Sequence, residues 1–140
     1  MAARTLVIVK PKSRGGATGR RWPEVEAKLR DALGAIEIER TRAPRDAERI
    51  AREGVRAGAD LVIAAGGDGT ASEVVSGILG AGLGGYAELA LLPLGTGGDM
   101  ARTLGLAGSL DEAIARIARG KARPIDAGRA RFVARDGREI

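Results

Sequence analysis

Short aliphatic runs alternate with longer amphipathic stretches along this chain. Thr5, Leu6, Val7, Ile8 and Val9 form a β-branched run that predicts a first strand. A polar, glycine-rich loop follows over 10–21. Val25, Leu29, Ala32 and Leu33, spaced i, i+4, i+7, i+8, then predict a helix that starts near Pro23. Residues 35–41 set Ile36 and Ile38 against Glu37 and Glu39, the alternation of a strand near a sheet edge. Pro44 opens a second helix with Ala47, Ile50, Ala51 and Val55 on one face, and residues 60–65 carry the most apolar run, a central strand. A third helix is expected over 71–79 through Val74, Val75, Ile78 and Leu79. Residues 89–92 give a fourth strand stopped by Pro93, followed by a short helix over 101–104. Ser109 and Glu112 have capping-box spacing before a last helix with Ile114, Ile117 and Ala118 inward.

Strands that alternate with helices predict an α/β fold, a doubly wound, mostly parallel sheet with helices on both faces. Ligands on such sheets bind at the carboxyl ends of the strands. Three polar loops, 10–16, 66–70 and 95–99, fall there, and Thr41 ends the second strand at the same edge. The tail differs. Residues 129–133 alternate like a strand, and Asp136-Gly137 is a hairpin signal. The expected organisation is an α/β domain over 1–123 and the start of a second, β-rich domain over 124–140. An unpaired tail strand would offer an edge through which two copies could form a homodimer.

Composition narrows the chemistry. The hydrophobic fraction is 44% but aromatics make up 2%, so the core must be aliphatic. Without cysteine or histidine, the chain has no disulfide, no Cys/His zinc site and no histidine general base. A metal here needs oxygen ligands, which favours Mg²⁺. The net charge of +5 comes from scattered arginines. With so few aromatics, it reads as a solvated surface and not as a nucleic-acid footprint. No apolar run approaches the roughly 20 residues that span a bilayer, and no leader pattern is visible, so the expectation is a cytoplasmic protein.

The glycines carry the candidate chemistry. Gly66, Gly67 and Gly69 follow the central strand and lead into a helix, where free amides and the positive helix end suit a phosphate. One glycine would serve a turn; three point to close approach of a ligand. Known phosphate loops fit poorly: the stretch lacks the last glycine of GxGxxG, and no Gly-Lys-Ser/Thr is present. Asp68 would be repelled by a phosphate unless Mg²⁺ lay between them, or it could accept a proton from a substrate hydroxyl as the catalytic carboxylate. Its structural alternative is a helix cap. Thr70 and Glu73 have capping-box spacing, and Asp99 repeats the arrangement of Asp68, a carboxylate after glycines at a strand end.

Gly66-Gly67-Asp68-Gly69-Thr70 with Glu73 resembles the GGDGT signature of the diacylglycerol kinase catalytic domain family, which includes bacterial lipid kinases and sphingosine kinases. Residues 93–102 resemble its P-x-GTxND-x-AR motif, residues 10–14 its N-P-x-S-G segment, and residues 124–128 its domain junction. The resemblance implies the NAD kinase/diacylglycerol kinase-like N-terminal fold, ATP and Mg²⁺ as cofactors, and a lipid substrate met at the membrane surface. It implies nucleotide contacts at Lys10, Pro11, Lys12, Ser13, Arg14, Thr41, Gly66, Gly67, Asp68, Gly69, Thr70, Ala71, Ser72 and Thr96. It places Asp68, Asp99 and Asp126 in a metal network and the hydroxyl-activating carboxylate in a second domain, so the fragment alone should be inactive. The family's asparagine is Lys10 here, its glycine Arg14, its second-motif asparagine Gly98, and the asparagine before Glu73 is Ser72. Two alternatives stay open: a soluble-substrate kinase of the NAD kinase type, and a degenerate, non-catalytic nucleotide-binding module.

Overall fold

The computed structural model describes residues 3–82, 87–94 and 98–139. Four strands, β1 (Thr5–Val9), β2 (Glu37–Arg40), β3 (Leu61–Gly66) and β4 (Glu88–Pro93), form one parallel sheet in the order β2-β1-β3-β4. Among the described residues five α-helices accompany them, α1 (Ala17–Leu33), α2 (Asp46–Arg56), α3 (Asp68–Gly80), α4 (Asp99–Thr103) and α5 (Leu110–Arg119), with a 3₁₀ turn over Ser13–Gly16. The expected doubly wound α/β sheet is therefore present.

Alternation along the strands divides the core in two. Leu6 and Ile8 of β1, with Val62 and Ala64 of β3, meet Ala47, Ile50 and Ala51 of α2 and Val74 and Ile78 of α3. On the other face Val7, Val9, Ile63 and Ala65 meet Trp22, Val25 and Leu29 of α1 and Ala113 and Ile114 of α5. Buried on both faces, β3 needs the continuous apolar run its sequence has. β2 lies at the edge with charged, mostly exposed residues, a pattern that discourages pairing with another sheet. The crossing of α2 and α3 is tight: a Cβ on Gly77 would stand 2.3 Å from the Glu48 carbonyl oxygen.

Several expected boundaries move. α1 begins at Ala17, so Pro23 lies inside the helix. Thr18, Trp22, Val25 and Leu29 are its buried residues, and Ala32 is exposed. Burying a tryptophan, about 150–250 Å² at roughly 25 cal/mol per Å², gains about 4–6 kcal/mol and outweighs the ~3 kcal/mol of an internal proline. α3 begins at Asp68, three residues before its expected start, because the helical turn follows the extended Gly67 (φ −93°, ψ −169°) directly. On it Leu79 is exposed. In α5 the Glu112 amide donates to Ser109 Oγ (3.2 Å), as the capping pattern predicts. There Ala113 and Ile114 are buried, whereas Ala118 faces solvent.

The tail residues 121–139 are exposed almost throughout. The expected strand over 129–133 is reduced to a single antiparallel bridge, Val133 to Glu139, around a turn in which Gly137 takes φ 83°. The Asp136-Gly137 turn signal is thus realised as a turn.

Candidate functional site

All four strands run the same way, so the segments that leave their carboxyl ends share one rim. Chain order places β2 on one side of β1 and β3 on the other. The reversal lies between β1 and β3, where doubly wound sheets leave a crevice. The first and third loops, 10–16 and 66–68, flank it.

The loop after β1 is held by its own backbone. The Lys10 amide donates to the Ala65 carbonyl (3.2 Å), Gly16 to Lys12 (3.3 Å) and Gly19 to Pro11 (3.0 Å). Ser13 Oγ donates to the Lys10 carbonyl (2.9 Å) and lies 2.6 Å from Thr18 Oγ1. The buried Thr18 in turn donates to the Leu94 carbonyl (3.3 Å), tying the first loop to the exit of β4. Arg14 adopts φ 55°, ψ 42°, a left-handed conformation that favours glycine. Arg14 and Arg21 line a small cleft with Ala17, Thr18 and Leu94. Among the described residues, neither guanidinium has a hydrogen-bonding or ionic partner, and the same holds for the Lys10 and Lys12 side chains.

The loop after β2 is joined to α3. The Thr41 amide donates to the Val9 carbonyl (2.9 Å), and Arg45, itself left-handed at φ 65°, donates its amide to Glu73 Oε1 (3.3 Å). Glu73 therefore serves the start of α2. The expected Thr70–Glu73 capping box does not form: Thr70 is inside the helix, 3% exposed, and its hydroxyl has no partner among the described residues.

The glycines after β3 have distinct roles. None of Gly66, Gly67 and Gly69 has positive φ, so a left-handed turn explains none of them. Gly66 makes room for Thr70, since a Cβ there would lie 2.6 Å from Thr70 Oγ1. Gly69 is exposed in the first turn of α3 and an added Cβ would meet nothing within 4 Å. Neither backbone conformation nor packing requires glycine at 69. The amides of Asp68, Gly69 and Thr70 precede the first bond of the helix, Ala71 N–H to the Gly67 carbonyl (3.1 Å), and Gly67 supplies no side-chain cap. Ala71 points into the core, whereas Ser72 is exposed.

The third and fourth strand ends meet through Asp68. Its Oδ2 accepts from the Asp99 amide (3.0 Å) and its Oδ1 from the Met100 amide (3.3 Å). Asp99 is exposed and ion-paired with Arg102. A small cleft between the two segments is lined by Gly66, Gly67, Asp68, Pro93, Gly98 and Ala101. Thr96 lies outside the described residues.

Magnesium takes one or two carboxylates, with phosphate oxygens and waters completing its shell. Asp99 is already ion-paired with Arg102 and each oxygen of Asp68 accepts one amide, so a metal ion here would share both carboxylates with those partners. Among the described residues no group of three or more acidic side chains is placed to hold a metal ion, so Asp126, exposed in the tail, does not join the other two. Sequence reasoning missed Thr18 and Arg21. The 18, 22, 25, 29 spacing would have exposed the first, but nothing in the sequence separates Arg21 from the other surface arginines.

No helix among the described residues is long and apolar enough to cross a membrane. Over 125 residues the chain is 37% identical to the Probable lipid kinase YegS of Salmonella arizonae, which covers 89% of this chain and 41% of that protein. It is 34% identical over 122 residues to a YegS-like relative from Enterobacter, covering 87% and 40%. The chain thus spans about two fifths of the length of these relatives. A diacylglycerol kinase crystal structure from Bacillus anthracis superposes with a TM-score of 0.74 at 29% identity, covering 87% of this chain and 44% of that one. With residues 4–130 matching the diacylglycerol kinase catalytic domain, the chain belongs to that family.

Proposed function

We propose that this chain is the nucleotide-binding part of an ATP-dependent lipid kinase that transfers the γ-phosphoryl group to a lipid hydroxyl. The observation that carries the reading is Gly69. It leaves open space over uncapped helix amides, at a position where neither φ nor packing asks for glycine. A phosphate seated there would accept from the α3 amides. Across the crevice, Lys10, Lys12 and Arg14 bring cations that have no partner among the described residues, suited to the charge of a triphosphate. Thr41 and Thr96 remain candidates for nucleotide contacts. Magnesium would be held with Asp99 and would neutralise charge on the phosphoryl oxygens. Phosphoryl transfer then asks this chain for positioning and charge, more than for covalent chemistry.

The lipid acceptor, its meeting at a membrane surface and a homodimer through the tail belong to the same proposal. The names of the relatives favour a lipid over a soluble acceptor such as NAD. Calorimetry of the chain with ATP and Mg²⁺ tests the reading, followed by lipid phosphorylation with the chain alone. Nucleotide binding without turnover is the expected result. Absence of ATP binding would remove the function, and robust lipid phosphorylation would remove the dependence on a further domain.

A further inference from the structure

We propose that Asp68 is a positioning residue, the clasp that caps α4 and holds the β4 exit against the start of α3. This deepens the nucleotide-binding reading and rests on it, since the clasp matters there through the site it shapes. α4 has five residues and begins after Gly98, which has no side chain with which to cap the helix. Its first amides would otherwise lack partners. Asp68, 31 and 32 positions earlier in the chain, accepts from both, one carboxylate oxygen to each amide. A cap that is usually local is thus supplied from the start of α3, after the neighbouring strand β3.

The clasp has consequences on both sides. α4 carries Ala101 into the core, with Met100 and Leu104 packed beside it, and sets Arg102 against Asp99. Asp68 opens α3, so its backbone sits among the amides offered to a phosphate. The cleft between the loops is lined by residues from both sides of this bond, Gly67 and Asp68 on one and Gly98 and Ala101 on the other. If the bond is lost, the two segments part and the cleft loses one wall. A carboxylate holding two amides has a defined task without a metal ion. Its cost beside a phosphate is offset by the amides it already satisfies.

The test uses Asp68→Ala and Asp68→Asn with two readouts. The first is amide hydrogen exchange at Asp99 and Met100 in the nucleotide-free chain. Asp68→Ala should speed exchange there by about tenfold, the scale of a lost cap, with Val74 to Ile78 of α3 still protected. Asp68→Asn keeps one acceptor oxygen and should fall between. The second readout is ATP affinity with and without Mg²⁺. A clasp predicts a several-fold loss under both conditions. Unchanged exchange at 99 and 100, or an affinity loss confined to the magnesium-containing titration, would overturn the proposal. If the wild-type chain binds no ATP, the exchange measurement still decides the clasp, and only the function falls. Should Asp68→Ala unfold the chain, Asp68→Asn carries both readouts.

Discussion

Replacing Gly69 with alanine sets stability against function at one methyl group. The residue is the second of α3, and an added Cβ has no heavy atom within 4 Å. Alanine there meets no clash and no forbidden φ. It removes the entropy that a helical glycine loses on folding, so Gly69→Ala should stabilise the chain by about 0.5–1 kcal/mol. For 140 residues, an unfolding entropy near 2.1 cal/mol/K per residue makes 1 kcal/mol about 3 °C in Tm. The same methyl would occupy the approach to the α3 amides. A loss of about 1.4 kcal/mol in binding corresponds to tenfold in Kd, and we expect at least about that. Urea unfolding followed by Trp22, the sole tryptophan and 2% exposed, reads the first quantity. Calorimetry with ATP reads the second. A variant that is more stable yet binds ATP as tightly as wild type would show that the open space is not a phosphate seat. A less stable variant would show that the helix start has contacts this account lacks.

Gly66→Ala, the same substitution three residues earlier, should cost about 1–3 kcal/mol, because its Cβ meets the buried Thr70 side chain. Thr70→Ala in the same background should recover part of that loss in urea titrations. Strict additivity of the two would disprove the contact. Arg14→Gly should hold or raise stability by up to ~1 kcal/mol, since it relieves a left-handed arginine, while weakening ATP binding; equal affinity would remove Arg14 from the site. The Asp46 carboxyl is held below the ordinary range, first by the Arg42 amide (2.9 Å) and then by the Arg49 guanidinium. Its folded pKa is depressed, so its contribution is full above the unfolded value near ~3.9 and is lost as pH falls through the folded value. Asp46→Asn should therefore flatten the acid limb of a stability–pH curve measured from neutral to strongly acidic conditions, and an unchanged limb would refute the assignment.

Periodicity revealed β1 and β3 because both are short aliphatic runs with buried faces, while the edge strand β2 showed only as Ile36 and Ile38 alternating with Glu37 and Glu39. It misplaced helix starts where a local cue competed with a tertiary one. Pro23 reads as a first-turn residue, yet Trp22 one position earlier is buried, and its burial carries the helix through the proline. Thr70 and Glu73 have capping-box spacing, but the turn begins sooner and leaves Thr70 inside, while Glu73 reaches Arg45 in a segment far away in sequence. The glycine loops were legible as a candidate site. The roles of individual residues were not: Gly66 is set by a neighbouring side chain, and Asp68 by amides more than thirty positions away. Such contacts leave no periodic trace.

The most direct test of the account is to titrate the chain with Mg²⁺-ATP while following backbone amide resonances. A shared polyphosphate site predicts saturable shifts at 10–16 and at 66–70 together, with one common Kd, while the amides of α5 stay unmoved. No saturable shift, or shifts confined to one loop or to the exposed tail, would contradict it.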